Sequence, residues 1–143
     1  MVRQRGQVGL VHVQVSLRVP GMSVPGYEAS FLVDTGATDS MAAASDLSRA
    51  GIQPIGRRTY EMADGSVQEY RFGLAQIEFM GEVTAGRVIF GPEGVEPILG
   101  VTALESVGVI VDPANQSLKR LPTVPLKQAA LVSRARFLSS GRA

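Results

Sequence analysis

Carboxylates carry most of the chemistry open to this chain. It has no cysteine and a single histidine, His12. Disulfides, thiolate metal sites and thiol catalysis are therefore excluded, and a histidine-rich zinc site is not expected. Among the 13 acidic residues, Asp34 stands out, because it ends the run Phe31-Leu32-Val33-Asp34-Thr35-Gly36-Ala37-Thr38. Stripping water from an unpaired carboxylate at the end of a buried apolar strand is costly. The chemistry that a carboxylate so placed suggests needs two copies of it. The motif occurs once here, so a chain using it in this way holds half of a site.

The apolar pattern supplies the elements that must hold Asp34. From Gly9 to Val19, Val11, Val13, Val15, Leu17 and Val19 alternate with His12, Gln14, Ser16 and Arg18, which predicts a half-buried strand with an exposed His12. Pro20-Gly21 and Pro25-Gly26 bracket a turn. Tyr27 to Val33 predicts a second strand, apolar on both faces at its end and so centrally buried. Residues 45–51 predict one or two helical turns, capped by Ser45 and ended by Gly51. Residues 57–72 read as a hairpin around Asp64-Gly65, a two-residue turn whose positions both take positive φ. A second hairpin turns at Met80-Gly81-Glu82, and residues 91–97 form a loop. Ile98-Leu99-Gly100 is a short buried strand. Thr102 and Glu105 have capping-box spacing, so a helix is expected to start near Thr102. A last hairpin joins residues 107–111 to 117–121, and Pro122 and Pro125 close the domain. Many short strands, few helices and hairpin connections predict an all-β, barrel-like domain with one or two short helices.

Three features combine into a family pattern. Phe31 to Ala37 fits hydrophobic-hydrophobic-Asp-Thr/Ser-Gly-Ala, Ile98-Leu99-Gly100 fits hydrophobic-hydrophobic-Gly, and a polar-tipped hairpin follows about thirty residues after Asp34. In these the chain resembles the retropepsin-like aspartic proteases, single-lobe relatives of pepsin found in retroviruses and bacteria, from about Leu10 to Pro122. The resemblance implies a homodimeric endopeptidase with one catalytic Asp34 per subunit, a peptide or protein substrate, and neither metal nor cofactor. It gives Thr35, Gly36 and Ala37 the support of the active-site loop, with the Thr35 hydroxyl bonding across to the partner. Gly36 also permits close backbone approach and unusual φ. It makes Met62, Ala63, Asp64 and Gly65 the tip of a flap over the substrate, with Thr38 and Asp39 beside it. Ile98, Leu99 and Gly100 lie beneath the loop. Asp39 reads equally as a solvated or capping acid, and Asp64-Gly65 taken alone reads as an ordinary surface hairpin. Many viral members pair an Asp and an Arg at the positions of Thr38 and Val101, so the dimer brace is expected to be built differently here. The charge of Asp64 at the flap tip is expected to disfavour acidic substrates or to change flap opening. A second reading keeps the fold as a non-catalytic dimeric module that binds peptides or proteins.

Charge is unevenly placed. The formal net charge is +1, yet Lys127, Arg134, Arg136 and Arg142 all fall after residue 122 with no acid among them. This divides the chain into a protease-like domain over 1–122 and a basic tail over 123–143, expected to be solvated and flexible. Four charges over that length are too sparse for a strong phosphate footprint, so nucleic acid is not the expected partner. A basic arm docking on an acidic partner or nucleic acid is the alternative for the tail. No apolar run approaches the length of a membrane span, and polar residues interrupt any signal-peptide core near the N-terminus. A cytoplasmic protein is the expectation.

Overall fold

A computed structural model describes residues 10–123 of the chain. The alternating N-terminal segment forms strand β1 (His12–Arg18), with Val15 and Leu17 fully buried. Its polar face is not wholly solvated. Ser16 is buried as well, because β1 is paired on both edges, with β2 (Tyr27–Asp34) and with the end of β5 (Val67–Phe79). A strand flanked on both sides buries part of each face, whatever its pattern.

The remaining elements are β3 (Ser40–Ala43), α1 (Ala44–Arg49), β4 (Gly56–Glu61), β6 (Glu82–Gly91), β7 (Ile98–Gly100), α2 (Val101–Ser106), β8 (Val109–Asp112) and β9 (Ser117–Arg120). The main sheet runs β1-β2-β7-β3-β6-β5-β4 and closes through the β1–β5 pairing. Among the described residues the result is a six-stranded barrel of an all-β domain with two short helices, and β4 extends beyond it. Strand β5 makes this possible through its length. Residues 67–72 pair with β4, and residues 72–79 pair with β6. The β4–β5 hairpin therefore projects from a barrel whose interior is filled by Leu17, Phe31, Leu47, Ile77, Leu99 and Leu104. No helix among the described residues is long and apolar enough to cross a membrane.

Several local expectations are corrected. The β4–β5 connection is not a two-residue turn. Met62 N–H bonds the Ser66 carbonyl and Gly65 N–H bonds the Met62 carbonyl, and of Asp64 and Gly65 the glycine alone takes positive φ (88°). That is a three-residue loop ending in a left-handed glycine. The two-residue turn with both positions at positive φ is Met80-Gly81, between Phe79 and Glu82. Ser45 does not cap α1 from outside. It lies in the first turn, where its N–H and hydroxyl both donate to the Glu93 carboxylate. Those bonds, the hydroxyl first, hold Glu93 below the usual carboxylate range. Gly51 does follow the helix in left-handed conformation. Helix α2 starts at Val101, and Thr102 makes no cap but bonds elsewhere. Ser-Met-Ala-Ala has no alternating apolar pattern of its own, yet it forms strand β3. It exists because it is clamped between β6, in parallel, and β7.

Of the basic tail over 123–143, all but Thr123 lies outside the described residues, as do residues 1–9. Residues 117–120, expected as one arm of a hairpin, pair with β8 in a separate two-stranded sheet.

Candidate active site

Asp34 is the last residue of β2, a strand held between β1 and β7. In parallel register with β7, Asp34 lies opposite Gly100. The chain then turns sharply, and Ala37 N–H donates to the Asp34 carbonyl at 3.1 Å. Gly36 N–H donates to the Asp34 carboxylate at 3.0 Å. Its φ is not in the left-handed region, so the freedom in φ expected of Gly36 is not used. Space matters more, since a Cβ there would stand 3.3 Å from the same carboxylate oxygen. Thr35 is exposed, and its hydroxyl makes no hydrogen bond among the described residues.

The loop is stitched to the β7–α2 junction. Val101 N–H donates to the Ala37 carbonyl at 2.8 Å, and the Thr102 hydroxyl donates to the Thr38 carbonyl at 2.7 Å. Gly100 N–H donates to the buried Ser40 hydroxyl at 3.0 Å. Gly100 itself cannot be larger, because a Cβ would lie 2.6 Å from the Asp39 carbonyl carbon and 2.8 Å from the Thr38 oxygen. So Leu99 is buried core, Gly100 is the crossing point, and Ile98 borders the cleft above. At positions 38 and 101, where the viral pattern has a charge pair, neutral backbone hydrogen bonds hold the two segments together.

Above this loop lies a cleft of about 650 Å³. Asp34, Gly36, Ala37, Thr38 and Asp39 form one side, and β4 with Met62 and Ala63 forms the other. Asp64 and Gly65 stand at the hairpin turn but do not line the cleft. The Asp64 carboxylate instead accepts from the Ser66 N–H and hydroxyl, which together, the hydroxyl first, hold it below the usual carboxylate range. The Asp64 carboxylate is therefore engaged at the turn itself and does not line the cleft of its own subunit.

Sequence reasoning missed the contact that joins the two sides. The Tyr60 hydroxyl donates to the Asp39 carboxylate at 2.6 Å, and Asp39 is only 4% exposed. Burial, then this bond, pushes the Tyr60 phenol up to about 12. Asp39 thus neither caps a turn nor stands free. Tyr70 and Arg58 sit beside Tyr60, with ring centroids 6.4 Å apart and the guanidinium 5.9 Å from the Tyr60 centroid. The available signal is period-two alternation, which places Arg58 and Tyr60 on one face of β4.

Among the described residues no group of three or more His, Cys, Asp or Glu side chains is placed to hold a metal ion. A family model described as "gag-polyprotein putative aspartyl protease" matches residues 21–106. The chain belongs to the retropepsin-like aspartyl protease family. The match spans the Asp34 loop, the β4–β5 hairpin and β7, the three parts that build this retropepsin-like cleft. It stops short of β1 and of the β8–β9 sheet. No curated protein matches the chain.

Proposed function

We propose that this retropepsin-like chain is an aspartic endopeptidase active as a homodimer, in which one Asp34 from each subunit forms the catalytic pair. One observation carries the reading. Asp34 stands once per chain on the floor of an open cleft, and no cation pairs with it among the described residues. A single carboxylate is a poor catalyst for amide hydrolysis, whereas two across a twofold axis complete an acid–base pair. The exposed Thr35 hydroxyl, beside Asp34, is free to bond to the partner loop.

In such a pair one carboxylate is ionised and one protonated, because like charges in contact cannot both persist; this is the general behaviour of aspartic proteases. The ionised Asp34 takes a proton from a water molecule, whose oxygen attacks the peptide carbonyl carbon. The protonated Asp34 gives its proton to the carbonyl oxygen, leaving a neutral gem-diol. The first Asp34 then protonates the amide nitrogen, and a gem-diol hydroxyl returns its proton to the second. The C–N bond breaks, an acid and an amine leave, and the pair again holds one proton.

The test is Asp34→Asn assayed against a peptide library near pH 5. Cleavage is expected to fall by at least about a thousandfold, as for loss of other catalytic groups. Cleavage equal to that of the unchanged protein would sink the reading.

A further inference from the structure

We infer that Arg58 makes this cleft select peptides bearing an acidic side chain, Asp or Glu, near the scissile bond. The inference rests on the peptidase reading above and names the substrate class of that site.

The first ground is position. Arg58 lines the Asp34 cleft. It shares a face of β4 with Tyr60, and the Tyr60–Asp39 bond fixes that face toward the active-site loop. The second ground is its lack of a partner. Arg18, Arg49, Arg57 and Arg120 each have a carboxylate. Among the described residues Arg58, Arg71 and Arg87 have none, and each lies over an aromatic ring. Of these three, Arg58 alone borders the Asp34 cleft.

The third ground is chemistry. A guanidinium resting on an aromatic face keeps its planar N–H fork directed outward, matched to a carboxylate. The acids already in the cleft do not satisfy it. Asp39 is taken by Tyr60. Asp34 lies on the floor with its Gly36 bond. Glu61 also borders the cleft, but it makes no ion pair with Arg58. Asp64 is turned away and bonded to Ser66. Among the described residues, then, no carboxylate forms an ion pair with Arg58, although Asp34, Asp39 and Glu61 line the same cleft. Along an extended strand Arg58 stands about 13 Å from Met62 at the tip, at about 3.3 Å per residue.

The rival role is that of a charged gatekeeper on an edge strand, which keeps β4 from pairing with other chains. A gatekeeper is indifferent to substrate charge, and this separates the two. The experiment uses the full chain carrying Asp34→Asn, so that peptides bind without being cut. A matched peptide series places Glu, Gln or Lys at each position in turn, and binding is read by fluorescence anisotropy. One position is expected at which Glu binds about tenfold tighter than Gln, the strength of one charge-assisted contact. In the Asp34→Asn, Arg58→Gln chain that ratio should fall to about one. If no position prefers Glu, or if the preference survives Arg58→Gln, the inference is overturned. Turnover of the same peptides by the unchanged protein tests the peptidase reading separately. Failure to cleave would end that reading, while the binding series still decides the role of Arg58.

Discussion

Tyr60 is the residue that joins roof to floor, and two consequences follow from its bond to Asp39. Removing the hydroxyl leaves a buried carboxylate without its donor, which costs about 1–3 kcal/mol. Tyr60→Phe is therefore expected to lower the urea midpoint and to loosen the hairpin over the cleft. A midpoint equal to that of the unchanged protein would show the bond to be incidental. The second consequence is pH dependence. The folded phenol is pushed up to about 12, by burial first and then by Asp39, whereas an unfolded tyrosine titrates near 10. Between those values the folded state holds a proton that the unfolded state has released. The contribution is thus complete below about pH 10 and is lost as pH rises toward about 12. Alkaline unfolding of Tyr60→Phe should lack most of that slope. Tyr27, also raised, by burial and then Asp46, leaves a residual one. The contrast with Asp34 explains what was legible. An acid closing an apolar run is anomalous in both type and place, so it can be read from the chain. A tyrosine in an alternating strand is an ordinary strand former, and only the fold brings it to an acid 21 residues away.

At the scale of elements, the site depends on a crossing of two backbones, where Gly100 of β7 passes under residues 38–39. A Cβ at Gly100 would stand 2.6 Å from the Asp39 backbone. Backbone cannot yield as a flexible side chain can, so Gly100→Ala must displace the loop that carries Asp34. The expected cost is about 1–3 kcal/mol, with a loss of activity larger than the loss of folded protein explains. Denaturant unfolding and specific activity measured together check this. Unchanged activity in a destabilised protein would show that the loop tolerates the shift. Much of this architecture was readable, because Val15, Leu17 and Phe31 announce β1 and β2 and glycine punctuates both hairpins. The parallel pairings β2–β7 and β3–β6 were not. Pairing partners far apart in sequence leave no local mark, and Ser-Met-Ala-Ala has no strand signature of its own. Turn length failed for a related reason: Asp64-Gly65 suits several turn types, and it is Ser66, bonding both Met62 and Asp64, that selects the longer one.

At the scale of the whole molecule the proposal turns on one aspartate per chain. If each active site needs Asp34 from two subunits, activity is a property of pairs rather than of chains. The barrel satisfies its own core, with Leu99 and Leu104 buried within one subunit. Folding and activity can therefore be separated by dilution. Specific activity should be constant at high concentration and fall in proportion to concentration once the dimer dissociates, while the thermal midpoint shifts by mass action. A sharper test mixes subunits. Unchanged chains equilibrated with a ninefold excess of Asp34→Asn chains form mostly mixed dimers, each with a single carboxylate and no acid–base pair. Activity per unchanged chain should drop to about a tenth, the chance that its partner is also unchanged in a random isologous dimer. A site complete within one chain predicts no drop at all. The two outcomes differ tenfold, and mixed dimers can be counted by native mass spectrometry, so incomplete exchange cannot pass for independence. A tenfold loss accompanied by full exchange would place half of the active site in each subunit. Unchanged activity under full exchange would require the chemistry to come from one chain, and Asp34 would need a different partner within it.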